Sequence, residues 1–255
     1  MIDLNIENLS VGFSSKTSSR RGVLSGLNFA LRPGELLVLA GPNGGGKTTL
    51  LKTLGGFLAP LEGKVFLGGR DMAAMNKREK ASAVSFLFQG QTALWPFTVE
   101  EFIGQGRFPH RGFFAAEEPV DRDAVARSIL AAGLSGYERR VITELSGGEF
   151  QRVLIARAMT QEASVILMDE PINNLDPKYQ FIVMDLIRDL AASGLAIMMS
   201  LHDLTLAKAY ASRVALVAEG CLAALGPPEE ALREDTLTRV FEIPQGYQKY
   251  IMPRC

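Results

Sequence analysis

The sequence predicts an α/β fold built on a mostly parallel sheet, and three observations carry that prediction. Leu36–Ala40 and Val165–Met168 are short, wholly apolar runs of strand length, the pattern of buried strands. Stretches of helical pattern separate such runs, and alternation of strand with helix goes with parallel pairing. A glycine-rich segment, GPNGGGKTT at 41–49, follows the first run directly and opens a helix from about Lys47. That is the strand–loop–helix unit of the P-loop fold.

Taken in order, the first 35 residues read as strands around a polar loop, SSKTSSRRG, at 14–22. The opening MIDLNIENLS alternates apolar and polar residues as a strand does, so no secretory signal is expected there. Residues 84–88 form a further buried-strand candidate that ends at Gln89. From 98 to about 160 the pattern turns helical, with a proline-glycine break at 109–112, and reads as an inserted helical subdomain. Apolar strands return at 165–168 and 195–200, with a helix from about Pro177 to Ala192 between them. No repeat or low-complexity tail interrupts this order.

Bulk properties narrow the function classes. The chain has 255 residues, 47% hydrophobic and 22% charged, an ordinary globular composition for one large domain. Twenty-seven basic against twenty-eight acidic side chains give a net charge of -1, which offers no nucleic-acid-binding surface. Cys221 and Cys255 have neither metal-ligand spacing nor a redox motif, and read as free thiols of a reducing cytosol. The apolar runs fall far short of the ~20 residues of a membrane span. The chain is expected to be soluble by itself and to serve any membrane from outside the bilayer.

Gly41, Pro42, Asn43, Gly44, Gly45, Gly46, Lys47 and Thr48 fit the pattern G-x-x-x-x-G-K-[ST], and Thr49 extends it. Glycines let consecutive backbone N–H groups converge on phosphate oxygens. Lys47 adds a cation at the β- and γ-phosphates, and the Thr48 hydroxyl suits magnesium. The strand Val165–Met168 ends in two carboxylates, Asp169 and Glu170. Ligands of open α/β sheets lie beyond the carboxyl ends of strands, so these acids are expected to share an edge with the glycine loop. Asp169 suits the magnesium sphere, and Glu170 suits the base or orienting group for an attacking water. Gln89 ends a strand on the same edge and can touch both metal and water. His202 follows a strand and precedes a helix, a place where a lone histidine more often packs or caps. At a catalytic edge it can contact a γ-phosphate, the reading the resemblance below favours; His110 has no such placement and reads as structural or surface.

A second phosphate reader lies at 145–152, LSGGEFQR, with a hydroxyl and two glycines at a helix start. The chain thus has two phosphate-reading elements and catalytic parts for one triphosphate.

The ordered series GPNGGGKTT, Gln89, LSGGEFQR, VILMDE, NNLD at 173–176 and His202 resembles the ATP-binding subunit of an ABC transporter, over about residues 4–241. The resemblance implies a RecA-like core with an antiparallel β subdomain (about 1–90 and 161–243), a helical subdomain (about 91–160) and a tail (244–255). It implies ATP and Mg2+ as ligands, with Phe13 as the adenine-stacking aromatic. It also implies that two copies close head to tail, so that Ser146, Gly147 and Gly148 read the γ-phosphate held by the partner and Asp176 crosses the same interface. Phe13 stands where tyrosine is more usual, Ile172 where threonine is, and Asn174 where a small residue or histidine is. No catalytic group is lost by these departures.

The segments FTVEEF at 97–102, GRFPH at 106–110 and HDLTLAKAYASRV at 202–214 are similar to the importer branch for iron-siderophores, haem and cobalamin. That similarity implies an ATPase on the cytoplasmic face of the cell membrane, working with transmembrane permease subunits and indirectly with a substrate-binding protein. A manganese or zinc importer is the nearest alternative. Soluble ATPases of this family that act on DNA or ribosomes are another class, but they carry paired domains, coiled coils or basic surfaces missing from this sequence. The aromatics Trp95, Phe97, Phe102, Phe108, Phe113 and Phe114 read either as helical-subdomain core or as a groove for a permease helix.

Overall fold

The computed structural model describes residues 2–13, 21–111, 116 and 118–243. The chain begins with strands β1 (Leu4–Phe13), β2 (Arg21–Leu31) and β3 (Leu36–Ala40), followed by helix α1 (Lys47–Leu54). Strands β4 (Glu62–Leu67) and β5 (Arg70–Asp71), helix α2 (Lys77–Ala83) and strand β6 (Val84–Leu87) come next. A helical stretch then holds α3 (Val99–Gly104), α4 (Pro119–Ala131) and α5 (Gly147–Thr160). The remainder alternates β7 (Val165–Met168), α6 (Pro177–Ala192), β8 (Ala196–Ser200), α7 (Leu204–Tyr210) and β9 (Arg213–Ala218). It finishes with β10 (Cys221–Gly226), α8 (Pro228–Ala231) and α9 (Glu234–Val240).

Two sheets organise these elements. The larger runs β10-β9-β3-β8-β7-β6, parallel throughout except for β10 against β9. Its inner strands are covered on both faces, which explains their unbroken apolar runs. Leu36, Val38, Ala40, Ile166, Met168, Ile197 and Met199 face a core shared with α3 to α6. Leu37, Leu39, Val165, Leu167, Ala196 and Met198 face the opposite core, shared with α1 and the second sheet. That second sheet, β2-β1-β4-β5, is antiparallel.

The sheet register sets the site. Leu87 pairs with Met168, and Met168 with Met199, so the residues after three strands emerge side by side. Asp169 N donates to Leu87 O at 2.9 Å, extending this alignment one residue past the strand end.

The sequence reading differs from the structure in the unread stretch between α1 and β6, where β4, β5 and α2 lie. β4 buries only part of its length, and it pairs with the distant β1, Ile6 opposite Val65, so no continuous run announces it. The predicted strands at 84–88 and 195–200 are each one residue shorter. Cys221 is free and exposed, while Cys255 lies outside the described residues. Among the described residues no helix is long and apolar enough to cross a membrane.

Candidate functional site

The glycine loop leads from β3 into α1 through Gly46, which takes φ 94 in the left-handed region. A Cβ at Gly46 would lie 2.6 Å from Val23 Cγ1. Both conformation and close approach therefore demand glycine. No side chain caps α1. Its first N–H groups are left to a ligand, the arrangement that makes a helix N-terminus bind phosphate.

Lys47 is buried, and its Nζ donates to the carbonyls of Gly41 at 2.8 Å and Pro42 at 3.0 Å. Burial lowers its pKa from the usual lysine value, against the opposing pull of the Glu170 and Asp169 carboxylates. An arriving polyphosphate relieves that burial cost by supplying the missing negative charge.

A pocket of about 540 Å³ surrounds the loop. It is lined by residues 43–49, by Phe13 and Val23 from the antiparallel sheet, and by Glu170 and His202. Phe13, at the end of β1, is 55% exposed. Most of the predicted polar loop, residues 14–20, lies outside the described residues, and Arg21 and Gly22 belong to β2.

At the strand ends, Asp169 is buried and accepts from Ser200 Oγ at 2.7 Å. The same hydroxyl accepts from Glu170 N at 2.9 Å, so one fully buried serine ties the two acids together. Glu170 carries φ 50, a left-handed backbone uncommon outside glycine and asparagine. Such residues store about 1–3 kcal/mol of strain and cluster at active sites. Its carboxylate accepts from Gln89 Nε2 at 2.6 Å and Asn173 Nδ2 at 2.7 Å, and lies 2.6 Å from His202 Nε2. That last contact requires the proton on Nε2. Ser200 and the Asn173 contact with Glu170 were missed by sequence reasoning. Ser200 lies thirty-one residues from Asp169, and only the β7–β8 register makes them neighbours.

The second predicted phosphate reader lies elsewhere. Ser146 caps α5, with Oγ accepting from Glu149 N at 3.3 Å while Ser146 N donates to Glu149 Oε2 at 2.8 Å. This reciprocal capping box was not foreseen in LSGGEFQR. The hydrogen bond from Ser146 N holds the Glu149 carboxyl below its usual pKa, against the opposing effect of burial. Ser146 and Gly147 are exposed, whereas Gly148 is buried and a Cβ there would overlap the Tyr179 ring. Ser146, Gly147, Gly148 and Asp176 line no part of the glycine-loop pocket. Gly147 instead borders a second cleft of about 600 Å³, shared with Gln89, Glu170 and Asn174. Asp176 caps α6 by accepting from Tyr179 N at 3.1 Å.

The departures have local reasons. Ile172 is buried in the core that also takes Met168. Asn174 has φ 62, which asparagine tolerates better than most residues. His110 contacts Gln161 O at 2.7 Å, as a structural residue would. The aromatic segment divides: Phe102 packs 5.9 Å from Phe150, Trp95 and Phe108 stand exposed, and Phe113 and Phe114 lie outside the described residues.

Known proteins match this architecture closely. The family model described as "ABC transporter" matches residues 24–173. The chain is 41% identical to a hemin import ATP-binding protein of Streptomyces coelicolor, over 88% of this chain and 79% of that one. It is 35% identical to a cobalamin import ATP-binding protein of Halobacterium salinarum, over 86% of this chain and 55% of that one. Among solved structures, a putative metal-chelate type ABC transporter in an inward-facing conformation aligns with TM-score 0.82 and 28% identity, covering 96% of this chain and 90% of that one. A dimeric bacterial ABC transporter cassette aligns with TM-score 0.74 and 25% identity, covering 88% and 98%. With an uncapped glycine-loop helix, a strand-end acid pair and relatives of this kind, the chain belongs to the ABC transporter family as an ATP-binding, ATP-hydrolysing component.

Proposed function

We propose that two copies of this chain close head to tail over two ATP molecules at the cytoplasmic face of the cell membrane. The closure drives permease subunits that import haem, another iron chelate or a corrinoid delivered by a substrate-binding protein. One observation carries the pairing: Ser146 and Gly147 stand exposed at a helix start yet line no part of the chain's own ATP pocket. The names of the hemin and cobalamin import relatives support the cargo class.

In this reading the N–H groups of residues 43–49 cradle the phosphates, Lys47 neutralises the outer ones, and Phe13 stacks on adenine. Thr48, Gln89 and Asp169 offer a hydroxyl, an amide oxygen and a carboxylate, the hard oxygen donors that magnesium takes. Gln89 spends its Nε2 on Glu170, which leaves its amide oxygen for such a role. When bound, the ion neutralises charge developing on the phosphates.

Glu170 has about four acceptor sites on its two oxygens, and Gln89, Asn173 and His202 occupy three. The remaining site holds and deprotonates the attacking water. His202 keeps the carboxylate oriented and contacts the γ-phosphate, while Ser146, Gly147, Gly148 and Asp176 complete the partner's site. Residues 1–90 and 161–243 act as the core with its β subdomain, and 91–160 as a helical subdomain that moves against it.

Glu170→Gln tests the assignment. Turnover is expected to fall by about 10²–10⁴-fold, the usual contribution of a general base, with ATP binding kept. An ATP-bound dimer should then persist in light scattering. Normal phosphate release by that variant would remove Glu170 from its role.

A further inference from the structure

Strand β8 reads AIMMS and is fully buried along its length, with Ser200 as its one polar side chain. A hydroxyl buried in such a strand is costly unless its hydrogen bonds are met. Ser200 meets them with the two acids: Oγ donates to Asp169 Oδ1 at 2.7 Å and accepts from Glu170 N at 2.9 Å. The direction of both bonds is fixed, because a backbone N–H only donates and the single hydroxyl proton is then left for Asp169. No described residue donates to Asp169 Oδ2, so that oxygen remains for a cation.

The sheet places this serine between the two halves of the ATP site, since β8 lies between β3 and β7. Ser200 pairs with Leu39 of the strand that leads into the glycine loop, and Leu201 N donates to Leu39 O at 3.1 Å. On the other side Met199 pairs with Met168, the residue before Asp169. Glu170 takes φ 50, and its N–H is the group that Ser200 holds. A left-handed backbone outside glycine persists only where its surroundings over-determine it. Gln89, Asn173 and His202, which hold the Glu170 carboxylate, are all exposed, whereas Ser200 is shut off from solvent.

We propose that Ser200 is a positioning residue for hydrolysis: one hydroxyl turns Asp169 Oδ2 toward the metal and fixes the backbone that aims Glu170 at the attacking water. The proposal rests on the reading above of Asp169 as a magnesium donor and Glu170 as the base. Ser200 does not line the ATP pocket, so it acts through the acids. Groups that orient a metal ligand from behind typically change metal affinity or activity by about 10–100-fold when removed.

The test uses the full chain carrying Ser200→Ala or Ser200→Cys, with Glu170→Gln in parallel. Alanine removes the hydroxyl, while cysteine keeps the space filled but donates only weakly. In both, kcat for phosphate release is expected to fall about tenfold or more with KM for ATP unchanged, as when an interaction made in the transition state is lost. A second readout needs no turnover. Mn2+ affinity of the chain loaded with a non-hydrolysable ATP analogue, read by electron paramagnetic resonance, should weaken about tenfold. Affinity for the analogue without metal, by calorimetry, should be unchanged. Normal kcat and Mn2+ affinity in Ser200→Ala overturn the inference. Wild-type behaviour of Ser200→Cys overturns it too, by reducing the serine to packing, as does loss of metal-free analogue binding, by making it a support of the fold. An inactive Glu170→Gln leaves the base reading standing through any of those failures, whereas normal turnover by Glu170→Gln overturns that reading itself.

Discussion

Two helices begin at glycine-rich turns, and they treat their first N–H groups in opposite ways. At α1 the preceding residue is a left-handed glycine with no side-chain cap, and the turn is walled by Phe13, Val23, Glu170 and His202. At α5 the preceding residue is an extended serine in a reciprocal box with Glu149, itself held by Tyr137 Oη at 2.8 Å. The first terminus has no side-chain cap and borders a pocket of its own chain, the place for that chain's own ligand in the reading proposed above. The second is satisfied at its third N–H and stands at the surface. The N–H groups of Gly147 and Gly148, first in the helix, have no carbonyl four residues back within it. The difference teaches that a glycine-rich helix start is not one kind of site. The two starts differ in capping and in which pocket they border, and the proposed pairing rests on that difference.

The sharpest way to break this comparison is Ser146→Asp. Aspartate is as good an N-cap as serine, so α5 and the melting temperature should hold. A carboxylate facing the partner's γ-phosphate should nevertheless lower turnover by about 10²-fold, on the scale of a lost or inverted phosphate contact, with ATP affinity of the isolated chain unchanged. Unaltered turnover would reduce Ser146 to a helix cap.

Lys47→Ala acts at the other terminus and should weaken ATP binding itself. Hydrogen bonds to charged groups are worth about 1.5–3 kcal/mol, or roughly ten- to a hundredfold in affinity by calorimetry. An unchanged affinity would count against the enclosed terminus as the chain's own phosphate site.

The smallest effect is expected from Gly147→Ala. A Cβ there meets only Leu175 Cδ2, at 3.8 Å, so the isolated chain should be unharmed or stabilised by about 0.5 kcal/mol. A several-fold fall in turnover with ATP affinity of the isolated chain unchanged is expected if Gly147 meets a second copy, and unaltered turnover would count against that pairing. Gly148→Ala is no substitute, because overlap with Tyr179 would disturb α5 against α6 whatever its role.

Much of the fold was legible in the sequence because sheet strands covered on both faces leave continuous apolar runs, as at Leu36–Ala40 and Val165–Met168. The strands of the antiparallel sheet were harder to read. β4 reads EGKVFL, with its first three residues exposed, and earns its place through distant pairing with β1. Within the site, the glycine loop, Asp169 and Glu170 could be named because their residue types sit at a strand end and a helix start, whereas Gln89 and His202 were named chiefly through the family resemblance. Ser200 and Asn173 could not, since serines and asparagines at such positions usually meet only solvent or their own backbone.

By itself the sequence determined the chemistry: a loop that forces N–H groups toward phosphate, an acid pair after an apolar strand, and a second helix start able to read an anion. Those are local properties of consecutive residues. Only the tertiary structure decided which groups meet. Parallel register carries Ser200 to Asp169 and Gln89 to Glu170 across thirty-one and eighty-one residues. It also leaves Ser146 and Gly147 outside the pocket that they would otherwise complete. Proximity between distant segments is set by how both faces of the large sheet are buried, and no short window of residues contains that information.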